Sequence, residues 1–328
     1  MESFTSVRPI RLSEVEKLVA LIRARLPDVV HAGPAPELLE RRLSTLIEDG
    51  CLIAAIKDGE YAGVLALDLY DRQVIACYLS PALASAGTPR KLFTAVEQRA
   101  LAYGLRSLQC CILAPALSLM WELGYAPEES EPDTDRPILV RKALTGLADR
   151  WTRHVFDLHD ELGISQDYGP RHRLEMVREC SQRISIGLDA YEREQWMAPE
   201  AARAWESMHS AASSNGIRLQ VVSAYRAVNY QANLIRNKLE KGQNIARILS
   251  VSAAPGFSEH HSGRALDLKT PGEPPLEESF ADTPAYRWLS DNARLFGFRE
   301  SFGRGNRHSM TWEPWHWCFH ATGGVAGQ

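Results

Sequence analysis

Along the first 145 positions, hydrophobic and polar residues follow the two-residue period of strands in some stretches and the roughly 3.6-residue period of helices in others. This pattern predicts alternating strands and helices. The stretch 51–70 holds two apolar runs around Asp58-Gly59, which is typical of a hairpin with a two-residue turn. Residues 89–103 instead place apolar side chains at helical spacing. Ser13, with Glu16 three residues later, predicts the cap of an earlier helix. The other elements expected in this half are strands at 7–10, 72–79, 105–113 and 137–144, and a helix at 116–125.

The second half continues with helical periods and one short run of strict alternation. Alternation in ALDL, residues 265–268, places Ala265 and Asp267 on one face of a strand and the two leucines on the other. The pattern predicts an α+β protein with two domains. Helices are expected at 197–217, 229–242 and 284–296, a strand at 219–226, and domains at 1–145 and 171–328 joined by a linker at 146–170.

Composition narrows the possible partners and locations. The chain has 328 residues, of which 45% are hydrophobic and 24% charged, as in water-soluble globular proteins. Its net charge of -4 gives no bulk electrostatic argument for binding nucleic acid or an anionic membrane. No run approaches the roughly 18 apolar residues that span a bilayer, so we expect no membrane insertion. Charged residues interrupt the apolar runs near the N-terminus, which predicts a cytoplasmic protein. The oligomeric state is not readable.

Candidate chemistry begins in SEHHSGRALDL, residues 258–268. His260 and Asp267 are suitable metal ligands, and Asp267 is a carboxylate on an otherwise apolar strand, where an unpaired charge is costly. A metal would explain that carboxylate. A salt bridge to a nearby arginine, or a structured turn that caps the aspartate, would explain it too.

A second cluster lies in WEPWHWCFH, residues 312–320. Pro314 forces an irregular backbone there, so Glu313 and His316 can face one point. The alternative is an aromatic core strand with a satisfied histidine. Two histidines, a carboxylate and a separate glutamate are together the components of a catalytic zinc site, which has three protein ligands and an open position for water.

These stretches resemble the VanY-type D-alanyl-D-alanine carboxypeptidases, a family of zinc peptidases. The family pattern S-x-H-x-x-G-x-A-x-D is present in residues 258–267, and E-P-W-H follows at 313–316. A third motif, S-x-Y-R followed by a glutamine, reads SAYRAVNYQ at 223–231. The resemblance covers about 170 to 320 and implies a VanY-like α+β domain.

The resemblance also implies roles for individual residues. The Zn²⁺ ligands would be His260, Asp267 and His316. Glu313 would be the general base, and Arg226 would stabilise the oxyanion on the scissile carbonyl. The expected substrate is a peptidoglycan stem peptide, cleaved before its C-terminal D-alanine with L,D- or D,D-specificity, as a soluble precursor or recycled muropeptide. His261 matches a variable position and is expected beside the ligands or at the surface. Substrate-binding candidates are Gln231, Ser258, Tyr225 and Trp315.

The N-terminal half resembles the GNAT acetyltransferases in its element order and in the segments VRPIRLSEVEKL and LSLMWELGYAP. The family's phosphate-binding loop is eroded here. Ala84 replaces its basic or Gln residue, and Pro89 replaces its last glycine and removes a donor. Met120 stands where the family often has a tyrosine acid. We therefore expect a degenerate GNAT-like mixed sheet. Acetyl transfer by this half and a non-catalytic peptide-binding role for the second half stay open as alternatives.

Overall fold

The computed structural model describes residues 5–25, 36–80, 83–85, 87–130 and 132–321. The chain divides into two compact units between Arg153 and His154. The segment 146–170, which the sequence analysis assigns to a linker, contains helix α5 (Arg150–Leu162), and the side chains of Val155 and Leu158 on this helix are buried. No helix in the described ranges is long and apolar enough to cross a membrane.

The N-terminal unit is built on a seven-stranded mixed sheet with the order β1-β2-β3-β4-β5-β7-β6. Strands β4 and β5 run parallel, and the other neighbouring strands are antiparallel. The mixed sheet expected from the sequence is therefore confirmed. Its strands are β1 (Ser6–Pro9), β2 (Leu52–Lys57), β3 (Glu60–Asp68), β4 (Gln73–Leu79), β5 (Ser107–Ile112), β6 (Ala126–Pro127) and β7 (Ile138–Ala143). Its helices are α1 (Val15–Arg25), α2 (Pro36–Glu48), α3 (Thr88–Ala102) and α4 (Leu117–Glu122).

The predicted hairpin forms between β2 and β3. Asp58 has φ 52° and Gly59 φ 82°, the left-handed conformations that a tight two-residue turn requires. The predicted cap at Ser13 is wrong, because a 3-10 turn at Leu12–Glu14 already precedes α1. The Arg11 N–H donates to the Glu14 carboxylate over 3.0 Å, so Arg11 is the N-cap and the helical stretch begins at Leu12, one residue before Ser13.

The positions at which this half departs from the GNAT pattern lie at helices α3 and α4 of the N-terminal unit. Gly87 caps the N-terminus of α3, and Pro89 is within its first turn, where it offers no N–H. Met120 is 2% exposed and belongs to the apolar core of this unit. The parallel pairing of β4 with β5 extends over Gln73–Val74 on one strand and Gln109–Cys110 on the other.

The C-terminal unit centres on an antiparallel four-stranded sheet with the order β10-β11-β13-β12. One face packs on an apolar core that includes Leu266, Leu268 and Trp317, as the alternation in ALDL predicts. A separate hairpin, β8 with β9, was not predicted. The strands of this unit are β8 (Ile184–Leu188), β9 (Glu194–Met197), β10 (Gln220–Ser223), β11 (Ala265–Lys269), β12 (Phe298–Glu300) and β13 (His316–Phe319). Its remaining helices are α6 (Tyr168–His172), α7 (Pro199–Ser214), α8 (Val228–Glu240), α9 (Ile245–Val251) and α10 (Pro284–Asn292).

Candidate metal centre

Three polar residues form a row across the strands of the C-terminal sheet. Asp267 on β11 is in register with Ser223 on β10 and with His316 on β13. Cross-strand partners point to the same face of a sheet, so these side chains lie side by side. Asp267 is 2% and His316 3% exposed, which places a carboxylate and an imidazole in a dry environment.

His260 reaches the same point from a 3-10 turn at Glu259–Ser262. Gly263 ends this turn with φ +66°, and a Cβ at this position would lie 2.9 Å from the Ala198 backbone nitrogen. Only glycine therefore fits, because both the conformation and the close approach exclude a side chain. The turn delivers the imidazole into the row of strand residues.

The ligand atoms of His260, Asp267 and His316 all lie within 4.8 Å of one another. His260 Nδ1 is 2.5 Å from the Ala224 carbonyl oxygen, which accepts its proton and leaves Nε2 as the free lone pair. Nε2 is buried and has no hydrogen-bond partner among the described residues. It lies 3.2 Å from Asp267 Oδ2. A buried imidazole lone pair without a hydrogen bond, close to a carboxylate and a second histidine, fits a zinc ion.

The charges of the cluster also favour a cation. His316 Nδ1 lies 3.0 Å from Asp267 Oδ1, and Nε2 lies 2.8 Å from Glu259 Oε2. Burial lowers the pKa of His316, but the hydrogen bonds to the two carboxylates outweigh it and raise this pKa to about 10. Burial has the opposite effect on an acid and raises the pKa of Asp267, but the neighbouring His260 and Arg226 hold this pKa well below its ordinary value. A protonated His316 thus supplies positive charge in the place where a metal would supply it.

Glu259 is a member of this cluster that the sequence analysis missed. It orients His316 through Nε2, in the way that carboxylates orient metal-bound histidines. Burial raises the pKa of Glu259, yet the hydrogen bond from His316 lowers it to about 2 overall. Its position next to His260 in SEHHS was the available signal.

Arg226 is bound to the metal-site carboxylate itself. Its Nη2 donates to Asp267 Oδ2 over 2.6 Å, its Nε to Ser223 Oγ over 3.0 Å and its Nη1 to Gln231 Oε1 over 3.2 Å. The salt bridge that the sequence offered as an alternative to a metal is therefore present beside the candidate metal ligands. A guanidinium has five N–H donors, so two of them have no hydrogen bond to the described residues.

Glu313 lies beside the cluster, with Oε2 3.9 Å from His316 Nδ1. Burial is the main cause that raises the pKa of Glu313 to about 7. The nearby His316 opposes this rise and the charge of Asp267 adds to it. A carboxylate with a pKa near neutrality is suited to accept a proton and return it.

His261 is fully buried, so of the two expected placements the surface one is wrong. Its Nδ1 lies 2.7 Å from the Arg226 carbonyl oxygen, and its Nε2 accepts from the Gly256 N–H over 3.1 Å. Burial lowers the pKa of His261 to about 4, and the neutral ring provides the one donor and one acceptor that these contacts need. His261 holds the backbone of the loop that carries Arg226.

The substrate-binding candidates differ in the contacts that they make. Gln231 is buried, accepts from Arg226 and donates from Nε2 to the Ala253 carbonyl over 2.8 Å. Ser258 is buried immediately before the turn that carries His260. The Arg183 guanidinium lies 4.1 Å from the centroid of the Tyr225 ring. Trp315 packs against the apolar core of the unit.

Comparison with known proteins agrees with the motifs. Residues 194–322 match the VanY family, described as D-alanyl-D-alanine carboxypeptidase. A putative carboxypeptidase, YodJ, of Bacillus subtilis is 33% identical over 129 residues, which are 38% of this chain and 46% of YodJ. The chain spans less than half the length of the curated relatives it matches. The VanY resemblance expected from the sequence is thus confirmed for the C-terminal part.

Solved structures resemble each half of the chain. The LdcB LD-carboxypeptidase is 28% identical, with a TM-score of 0.41. The match covers 45% of this chain and 72% of the LdcB chain. A GNAT superfamily phosphinothricin acetyltransferase from Sinorhizobium meliloti is 17% identical, with a TM-score of 0.34. The match covers 42% of this chain and 88% of the acetyltransferase chain.

Proposed function

We propose that this protein is a zinc-dependent carboxypeptidase that hydrolyses the peptide bond before a C-terminal D-alanine of peptidoglycan stem peptides. One observation carries the proposal. The buried Nε2 of His260, which has no hydrogen-bond partner among the described residues, lies within 4.8 Å of ligand atoms of Asp267 and His316, with the Glu313 carboxylate beside them. This set matches a hydrolytic zinc site in its ligands and in its separate base.

The metal would be held by His260, Asp267 and His316. Zinc, when bound, polarises the scissile carbonyl and lowers the pKa of water in the site. Glu259 and the Ala224 carbonyl fix the two imidazole rings, so the ligand nitrogens are oriented before the metal arrives.

Glu313 acts as the general base in this proposal. Its carboxylate accepts a proton from the attacking water and later donates it to the leaving amine. The buried position supports this role, because a dry carboxylate binds a proton more readily than an exposed one. A bound cation would lower the pKa of Glu313 from its value near 7 and so favour the basic form.

Arg226 stabilises the negative charge that develops on the carbonyl oxygen. Its contacts to Asp267, Ser223 and Gln231 hold the guanidinium in one orientation. Two N–H donors remain for the substrate. A fixed cation aimed at charge that grows in the transition state lowers the barrier without reorganisation during the reaction.

A panel of defined peptides tests the function. Zinc-loaded protein is incubated with a stem tetrapeptide and a stem pentapeptide, each ending in D-alanine, with and without a chelator, and the products are weighed by mass spectrometry. We expect loss of the terminal D-alanine from at least one peptide, abolished by the chelator. If zinc-loaded protein trims neither peptide, the proposed function is wrong.

The same panel determines the bond specificity. Trimming of the tetrapeptide indicates L,D-cleavage, whereas an intact tetrapeptide beside a trimmed pentapeptide excludes it. Soluble precursors and recycled muropeptides are the substrates that match the expected cytoplasmic location. Fractionation of cells that express the protein tests this location.

A further inference from the structure

Lys238 shares a helix face with Gln231 in the C-terminal unit. The two residues are seven positions apart on α8, which is close to two full helical turns. Gln231 Nε2 donates to the Ala253 carbonyl, and Lys238 Nζ donates to Ser252 Oγ over 2.7 Å. The same face of α8 therefore contacts two successive residues of one segment.

Hydrogen bonds connect this helix face to the candidate metal centre. Gln231 accepts a hydrogen bond from Arg226, which in turn binds Asp267. Lys238 is half-buried, and its burial and the Arg226 guanidinium lower its pKa, while the Glu313 carboxylate raises it. The charges of Arg226 and Glu313 thus both affect the protonation of the ammonium.

Lys238 forms no ion pair with the described residues. No Asp or Glu in the part of the chain that the structure describes forms an ion pair with its Nζ, and its hydrogen-bond partner Ser252 is neutral. Arg226, in contrast, is paired with Asp267. A half-buried ammonium without an ion-pair partner is stabilised when an anion joins it.

We infer that Lys238 binds the C-terminal carboxylate of the peptide substrate. The inference rests on the proposed carboxypeptidase function, in which each substrate ends in a free carboxylate next to the bond that is cut. An ammonium has three N–H donors. Ser252 takes one of them, so two remain for carboxylate oxygens. Lys238 is not among the substrate-binding candidates predicted from the sequence, which are Gln231, Ser258, Tyr225 and Trp315.

Binding of paired peptides tests the inference without requiring turnover. Zinc-loaded Glu313→Gln protein is titrated calorimetrically with a stem peptide that has a free C-terminal acid and with the same peptide as its C-terminal amide. The same titrations are repeated after adding Lys238→Met, Lys238→Arg or Lys241→Met. Lys241 is the matched control, because it is an exposed lysine just after the same helix.

We expect the parent protein to bind the acid about 10- to 100-fold more tightly than the amide, as for a charged hydrogen bond. Lys238→Met should reduce this ratio to near one, Lys238→Arg should retain part of it, and Lys241→Met should leave it unchanged. Lys238→Gln, which keeps a donor for Ser252, repeats the test should the methionine variant melt earlier than the parent protein.

Two results would overturn the inference. The first is an acid-to-amide ratio that survives removal of the Lys238 ammonium, and the second is a parent protein that does not distinguish the two peptides. Failure of the proposed function is detected in a different experiment, the peptide panel, in which the zinc-loaded native protein would release no D-alanine.

Discussion

His316 and Asp267 face each other across the β11–β13 pair, with His316 Nδ1 3.0 Å from Asp267 Oδ1. The other nitrogen of the same ring lies 2.8 Å from Glu259 Oε2. A carboxylate on each side determines the orientation of the imidazole, so Nδ1 is the nitrogen presented to the other candidate ligands. The orientation of His316 therefore depends on Glu259, which is not itself a candidate ligand.

Glu259→Gln should weaken zinc binding. The amide keeps the shape of the side chain but loses the negative charge that orients His316 and raises its basicity. Loss of such a partner typically reduces metal affinity about 10- to 100-fold. Competition with a chromophoric chelator measures the change, and Glu206→Gln on the exposed face of α7 is the control. Unchanged zinc affinity in Glu259→Gln would contradict the orienting role.

Glu313→Gln should retain zinc and lose turnover. The candidate ligands do not include Glu313, so the metal content measured by elemental analysis should equal that of the native protein. Removal of the base should reduce kcat by roughly 10²- to 10⁴-fold. A variant with near-native kcat would disprove the assignment of the base. A variant without zinc would show that Glu313 instead supports metal binding.

The sequence predicted most of the strand and helix positions because their side chains are buried, either on one face, as in β5, or on both faces, as in β3. Hairpin β8–β9 was missed for the opposite reason. Its residues Ile184, Leu188 and Trp196 are exposed, so no alternation between core and solvent marks the strands. Helix α5 carries buried residues at helical spacing, but the glycines around it made the segment read as a linker.

The candidate ligands were identifiable because each lies in a short motif. Partners that meet only in three dimensions were not. Glu259 and His316 are 57 positions apart, and a 3-10 turn must fold back on β13 before they touch. Lys238 has an ordinary position in an amphipathic helix, and its lack of an ion pair with the described residues is a property of the folded unit.

Zinc should raise the thermal stability of the C-terminal unit. A ligand that binds the folded state alone stabilises it by about 2.7 kcal/mol at a free concentration 100 times its Kd. Calorimetric melting with zinc and with a chelator measures the shift. His260→Ala should abolish it, because the orphaned Nε2 is lost, whereas His209→Ala on the exposed surface of α7 should not. An equal shift in both variants would place zinc elsewhere.

His261→Leu should reduce both stability and turnover while zinc affinity is retained. Leucine fills the buried space but leaves the Arg226 carbonyl and the Gly256 N–H without their partner, at a cost of about 1–3 kcal/mol for each buried group. The loop that carries Arg226 would then be less fixed, so kcat should fall more than KM rises, because Arg226 acts on transition-state charge.

His261→Gln is the matched variant, since its amide can both donate and accept, and it should recover part of kcat. Denaturant unfolding, steady-state kinetics and zinc competition separate these effects. Loss of zinc affinity equal to that of a ligand variant would show that His261 acts through His260 and not through Arg226.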